Sequence, residues 1–225
     1  MATFITGDKH GDLTEILNFI KKMKLNENDN IIVLGDMGLL WRKDKKDFNY
    51  NINLWNMESN GVKLYFIDGN HENFTLLKEF PIENNMQKIS NNIYHLLRGH
   101  TYEFEGKKIL TIGGADSIDW YLRTKGFTWW EEETISKADI ANIAALHYDY
   151  VLTHCCPRSI FENNRVYLIT LRKINQEKIN HNSEDMLEQV KKRITFDHWC
   201  FAHYHIDKKL DDNFRCMLHD FVEVR

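Results

Sequence analysis

Five short stretches, spread over most of this 225-residue chain, each end an apolar run with side chains that can ligate a metal. They are Gly7-Asp8-Lys9-His10-Gly11-Asp12, Gly35-Asp36, Gly69-Asn70-His71-Glu72, Thr153-His154 and His203-Tyr204-His205. The runs before them, Phe4-Ile5-Thr6, Ile31-Ile32-Val33-Leu34, residues 62–67, Tyr150-Val151-Leu152 and Trp199-Cys200-Phe201, are short and nearly continuously apolar. Such runs read as strands covered on both faces. In open α/β sheets, ligands gather beyond the carboxyl ends of the strands. A fold that uses the five stretches together must bring five strand ends to one place.

The segments between these strands carry helix signals. Asp12 can cap a helix in which Leu13, Ile16, Leu17 and Ile20 recur at helical spacing. Residues 48–57 suit a helix with Ile52 and Trp55 inward, and residues 74–80 a short one. After residue 80 the texture changes. Tyr102-Glu103-Phe104 and Lys108-Ile109-Leu110-Thr111-Ile112 flank Glu105-Gly106-Lys107 as a hairpin. Residues 139–146 read as helix, Ser183 as the cap of a helix carrying Met186, Leu187, Val190 and Ile194, and Leu210 with residues 215–218 as a closing hairpin turning at Asp212-Asn213. Residues 158–181 give no clear pattern. With two prolines, no Gly/Ser linker and no internal repeat, residues 1–225 read as one α/β domain of layered sheets and helices.

Composition narrows the function classes. A net charge of −4 argues against a generally basic nucleic-acid-binding surface, though not against a local basic groove. Nothing approaches the ~18 continuous apolar residues of a membrane span. Met1 leads almost directly into a strand, without the basic and apolar regions of a secretion signal. Of four cysteines, Cys155 and Cys156 are neighbours, which is no disulfide framework. A cytoplasmic location is expected, in a bacterial or phage-infected cell.

Asp, Asn and His are oxygen and imidazole donors, suited to borderline divalent metals such as Mn²⁺, Fe²⁺ or Zn²⁺. Two such ions ~3.5–4 Å apart can share a bridging carboxylate and activate a bridging hydroxide. Asp8-Lys9-His10, Gly35-Asp36, Gly69-Asn70-His71-Glu72, Thr153-His154 and His203-Tyr204-His205, in this order, resemble the calcineurin-like metallophosphoesterase superfamily from residue 8 to residue 205. The resemblance implies a four-layer αββα sandwich with mixed sheets. It implies two divalent ions, Mn²⁺ foremost with iron, Zn²⁺ or Ni²⁺ as alternatives. Asp8, His10 and His205 would hold one ion, Asn70, His154 and His203 the other, and Asp36 would bridge them. His71 would give a proton to the leaving group, with Asn70 also touching substrate. The implied activity is hydrolysis of phosphate mono- or diesters by a metal-bridging hydroxide.

Two departures bear on the substrate. The protein serine/threonine phosphatases carry Gly-Asp-x-Val-Asp-Arg-Gly at the second motif, whereas this chain has Gly35-Asp36-Met37-Gly38-Leu39-Leu40-Trp41. Ala202 stands where the superfamily usually has Gly, which is tolerable if the backbone there is not left-handed. Gly113-Gly114-Ala115-Asp116-Ser117-Ile118-Asp119, Arg123 and Trp129-Trp130-Glu131-Glu132 are similar to small bacterial and phage metallophosphoesterases of undefined substrate. A nuclease or a cyclic-nucleotide phosphodiesterase is the alternative within enzymes. A protein phosphatase and a non-catalytic, metal-stabilised binding module rank lower.

Outside the motifs, Arg123 is the leading candidate to grip a substrate phosphate, because a guanidinium matches phosphate oxygens. Its bland alternative is an ion pair with Asp119, Glu131 or Glu132. Arg42 and Arg158 are weaker candidates. Trp129 and Trp130 could stack a nucleobase, but core packing is the commoner use. Asp116, Ser117 and Asp119 divide between pocket lining and loop capping, and the charge run 43–47 reads as a solvated face.

Overall fold

The computed structural model describes residues 1–41, 45–168, 180–211 and 213–225. The first half of the chain lays down β1 (Thr3–Thr6), β2 (Asn30–Val33), β3 (Lys63–Phe66), β4 (Ile82–Glu83), β5 (Met86–Ser90) and β6 (Ile93–Leu96). The second half lays down β7 (His100–Phe104), β8 (Lys107–Ile112), β9 (His147–Thr153), β10 (Thr195–Phe201), β11 (Lys208–Lys209) and β12 (Phe214–Cys216). A last strand, β13 (Val222–Glu223), returns to the first sheet. The two sheets run β13-β1-β2-β3-β6-β5-β4 and β11-β12-β10-β9-β8-β7. Both are mixed: β1, β2, β3 and β6 are mutually parallel, as are β8, β9, β10 and β12, while the outer strands are antiparallel.

The four-layer order follows from alternation along fully apolar strands. In register, Phe4 faces Ile31, Ile31 faces Leu64 and Leu64 faces Ile93. This row packs with Leu13, Ile16, Ile20, Trp55 and Leu77. Those side chains come from helices α1 (Thr14–Met23), α2 (Lys46–Glu58) and α3 (Phe74–Leu77), or just before α1. One residue along, Ile5 and Ile32 point the other way and join Ile109, Tyr150, Leu152 and Cys200 of the second sheet. On the second sheet's far face, Leu110, Val151, Trp199 and Phe214 meet Ile140, Ile160 and Leu187. These belong to α4 (Lys137–Ala141), α5 (Arg158–Asn163), which precedes the short α6 (Arg165–Leu168), and α7 (Asn182–Lys191). Three apolar seams thus separate four layers, helix, sheet, sheet, helix. Among the described residues no helix is long and apolar enough to cross a membrane.

Several local expectations need correction. On α2 it is Asn51, with Trp55, that is buried, because its side chain donates to Gly11 O at 3.0 Å; Ile52 packs only partly. Ser183 lies inside α7 and does not cap it: its N–H donates to Asp116 Oδ2 and its Oγ accepts from Ile135 N. Helix α4 is shorter than 139–146 and starts two residues earlier, at Lys137, because Ser136 and Asp139 form a capping box there. Strands β4 to β6 went unread, since Gln87 and His95 are polar yet buried. They satisfy each other and neighbouring carbonyls. The closing hairpin forms as β11 and β12, although Asp212 lies outside the described residues.

Candidate metal centre

Parallel pairing aligns the carboxyl ends of β1, β2 and β3, and separately those of β9 and β10. Stacking the two sheets sets these ends opposite each other, and all seven expected ligands converge there in two groups of donor atoms. In the first, Asp8 Oδ2 lies 3.0 Å from His205 Nε2 and 3.9 Å from His10 Nε2. The two imidazole nitrogens are 3.1 Å apart. In the second, His154 Nε2 lies 3.2 Å from Asn70 Oδ1 and 3.3 Å from Asp36 Oδ1, and the His203 ring meets the His154 ring edge-on at 5.0 Å. Asp36 stands between them, because its other oxygen, Oδ2, is 4.0 Å from His10 Nε2.

The backbone is bent to make this possible. His10, Asp36, His203 and His205 all have positive φ, between 47° and 67°. A left-handed residue with a Cβ costs about 1–2 kcal/mol, so four at one place record a site held by its surroundings. Main-chain bonds hold it: Lys9 N and His10 N donate to Asp36 O, Gly11 N donates to Met37 O, and His203 N donates to Asp8 Oδ1. Ala202 is buried and is not among the positive-φ residues, so its methyl is accommodated. Two glycines are required by space. A Cβ on Gly69 would lie 2.1 Å from Asp36 Oδ1, and one on Gly35, whose φ is +96°, would lie 2.3 Å from His154 Nδ1.

The electrostatics call for positive charge. Asp8 and Asp36 are buried, and Asp8 Oδ2 accepts no well-aligned hydrogen bond, with His205 Nε2 its neighbour at 3.0 Å. Burial raises the Asp36 pKa, but His154, His71 and His10 outweigh it and hold the carboxyl well below its usual range. Burial would push His154 down, yet Asp36, Asp8 and the Leu34 carbonyl hold it up at about 10. Its Nδ1 is 2.7 Å from Leu34 O, so Nδ1 donates there and Nε2 is aimed at Asp36 and Asn70. His203 is pushed by burial and by His154 to about 3 and keeps its lone pairs. Buried carboxylates, one with an oxygen that accepts no aligned hydrogen bond, together with converging imidazoles and an all-oxygen-and-nitrogen donor set, fit divalent cations.

His71 lies at the rim of this cluster. Its backbone N–H donates to Asp36 Oδ1 at 2.7 Å, and its ring is edge-on to His10 at 5.3 Å. Burial lowers its pKa against the pull of Asp36, with Arg123 lowering it further. A cleft of about 470 Å³ opens beside His10 and His71 and is walled by Trp41, Tyr50 and Asn51. Arg123 makes the ion pair of its bland alternative, Nε to Asp119 at 2.7 Å, and its Nη2 is 3.4 Å from His71 Nε2. Arg158 is paired with Glu162 and Glu184. Arg42 lies outside the described residues. Trp130 is core, as expected, and Trp129 donates to Glu133. Asp116 serves loop capping through Thr134 and Ser183, whereas Ser117 touches the site, with Oγ 3.1 Å from Asn70 Nδ2. Asp12 accepts from Thr14 N at the start of α1. Cys155 and Cys156 are buried, and burial pushes both thiols up, away from a thiolate role.

Residue types alone did not single out three buried charged groups. Lys9 donates from beneath the first loop to Glu15 and Leu218 O. Glu72 accepts from Met37 N, and burial next to Asp36 and Asp68 raises it well above the usual range. Asp68 is clasped by Arg98 and His95. All three look like ordinary loop or strand-end charges in sequence; only burial distinguishes them.

No curated protein matches this sequence significantly. A solved crystal structure that is 10% identical aligns over 96% of this chain and 90% of its own, with a TM-score of 0.49. The sequence model described as calcineurin-like phosphoesterase matches residues 1–207. The chain belongs to the calcineurin-like phosphoesterase family.

Proposed function

We propose that the protein hydrolyses phosphate mono- or diesters at this centre with two divalent metal ions, Mn²⁺ first among the candidates. The observation that carries the reading is Asp36, with one carboxylate oxygen 3.3 Å from His154 Nε2, which itself meets Asn70, and the other 4.0 Å from His10 Nε2. Asp8, His10 and His205 would hold one ion and Asn70, His154 and His203 the other, with Asp36 common to both. Bound there, such ions would lower the pKa of water and neutralise charge on phosphoryl oxygens.

The chain's own residues do the rest. Leu34 O holds the His154 ring so that Nε2 faces the centre. The left-handed turns at His10, His203 and His205 direct three further imidazoles inward. Arg123 Nη2, beside His71, is placed to grip a phosphate oxygen while Asp119 anchors Nε. His71 would give its proton to the leaving alcohol, for which the cleft it lines with Trp41 and Tyr50 leaves room. Burial, with Arg123, lowers the His71 pKa in the free protein, and an arriving phosphate anion raises its proton affinity. Four buried thiols suit a reducing compartment, so we place the protein in a cytoplasm.

Incubation with Mn²⁺ and a panel of p-nitrophenyl mono- and diesters tests the reading. Asp36→Asn should lower turnover by about 100-fold or more, the scale of losing a positioned electrostatic group. Equal activity of parent and variant, or no turnover on any ester with metal bound, sinks it.

A further inference from the structure

Glu133 is 2% exposed and ends a 3-10 turn, Glu131–Glu133. Its carboxylate touches none of the donor atoms, yet it faces them through one residue. Oε1 accepts from Ser117 N at 2.6 Å and from Trp129 Nε1 at 2.9 Å. Oε2 accepts from Ser117 Oγ at 2.9 Å. Ser117, 1% exposed, lies with its Oγ 3.1 Å from Asn70 Nδ2. Asn70 in turn has Oδ1 3.2 Å from His154 Nε2. The Glu133 main chain is fixed as well, because its carbonyl accepts from Ala115 N at 3.0 Å.

A serine hydroxyl has one hydrogen. Both Glu133 oxygens face donors, and above about pH 7 the ionised carboxylate can only accept, so there Ser117 must spend that hydrogen on Glu133. Its oxygen can then only accept from Asn70, and the amide must turn its NH₂ to Ser117 and its carbonyl oxygen to the centre. A flipped amide would present N–H groups, which cannot ligate a cation. We propose that Glu133 is a positioning residue for metal uptake, acting through Ser117 to hold the Asn70 amide with its oxygen toward the ions. This rests on the dinuclear reading above.

The inference separates three variants by hydrogen-bond logic alone. Glu133→Gln keeps the shape and turns an NH₂ toward Ser117 Oγ, since Oε1 stays opposite Ser117 N and Trp129. Ser117 then donates toward Asn70 and drives the flip. Ser117→Ala removes the instruction without reversing it. In Glu133→Gln/Ser117→Ala no hydroxyl remains to be misdirected.

Calorimetric titration of the 225-residue chain with Mn²⁺ at pH 8, where Glu133 is ionised, reads the uptake, EPR reports whether bound Mn²⁺ is coupled or isolated, and circular dichroism checks folding. The expected result is two ions in the parent. Glu133→Gln should weaken one ion by about 10- to 100-fold and give the spectrum of isolated Mn²⁺, the scale seen when partners of metal ligands are lost. Ser117→Ala should lose less, and the double variant no more than Ser117→Ala. Parental uptake by folded Glu133→Gln, or a double variant weaker than either single one, overturns the assignment and leaves the dinuclear reading standing. Should Glu133→Gln not fold, parental affinity in Ser117→Ala overturns it as well. A parent that takes up no Mn²⁺ overturns both.

Discussion

Gly35→Ala is the sharpest probe of how the fold builds the centre, and Gly106→Ala is its control. Both glycines have positive φ, +96° and +71°, so both alanines meet the left-handed penalty of about 1–2 kcal/mol. They differ in space. No heavy atom lies within 4 Å of a Cβ on Gly106, at the tip of the β7–β8 hairpin. A Cβ on Gly35 lies 2.3 Å from His154 Nδ1 and 3.1 Å from Asp68 O. His154 is fully buried and bonded to Leu34 O, so it cannot yield without breaking that bond. Forced overpacking of this kind costs a further ~1–3 kcal/mol. Gly35→Ala should therefore destabilise by about 2–5 kcal/mol, against about 1–2 kcal/mol for Gly106→Ala. Urea denaturation of both variants isolates the steric part as their difference. Mn²⁺ titration reads its local consequence, since displacing His154 should weaken uptake only in Gly35→Ala. If the two variants unfold at the same midpoint, or if Gly35→Ala keeps parental Mn²⁺ affinity, the packing of His154 against Gly35 does not organise the site.

Three further outcomes follow from the same geometry. Burial raises Glu133 from the ordinary 4.5 to about 7, against the hydrogen bonds of Ser117 and Trp129. Its stabilising share is thus complete below pH 4.5 and is lost as pH rises through about 7; urea midpoints across this window should fall less in Glu133→Gln than in the parent. Arg123→Ala should lower kcat/KM on phosphate esters by about 10- to 100-fold, the worth of one charge-assisted contact, and an unchanged kcat/KM would return Arg123 to a plain ion pair with Asp119. Arg98→Met leaves the Asp68 carboxylate buried without its guanidinium and should cost about 3–5 kcal/mol in denaturant; a loss under about 1 kcal/mol would show that His95 alone suffices.

The sequence was most informative where one residue type does a job few others can. Strand ends followed by Asp, Asn or His could be read because those side chains carry metal-donor atoms and the apolar runs before them must be buried. The alternation inside Ile31-Ile32-Val33-Leu34 placed residues on two faces, and the structure divides them between two seams. Strands β4 to β6 escaped because Gln87 and His95 are buried through partners that only the fold supplies. Helix α4 was misplaced because its capping box, not its apolar period, decides where it starts.

By itself, then, the sequence offered the candidate donors, the order of their five stretches and the α/β layering, because these depend on side-chain chemistry and on spacing along the chain. The family resemblance already implied how those donors group, with Asp36 between the two sets, whereas only tertiary structure revealed that Glu133 reaches Asn70 through Ser117. Those relations depend on sheet stacking and on left-handed turns at His10, Asp36, His203 and His205, which packing imposes against local preference. Glu133 lies 63 positions from Asn70 in the chain, the difference between 133 and 70, and no local pattern connects them.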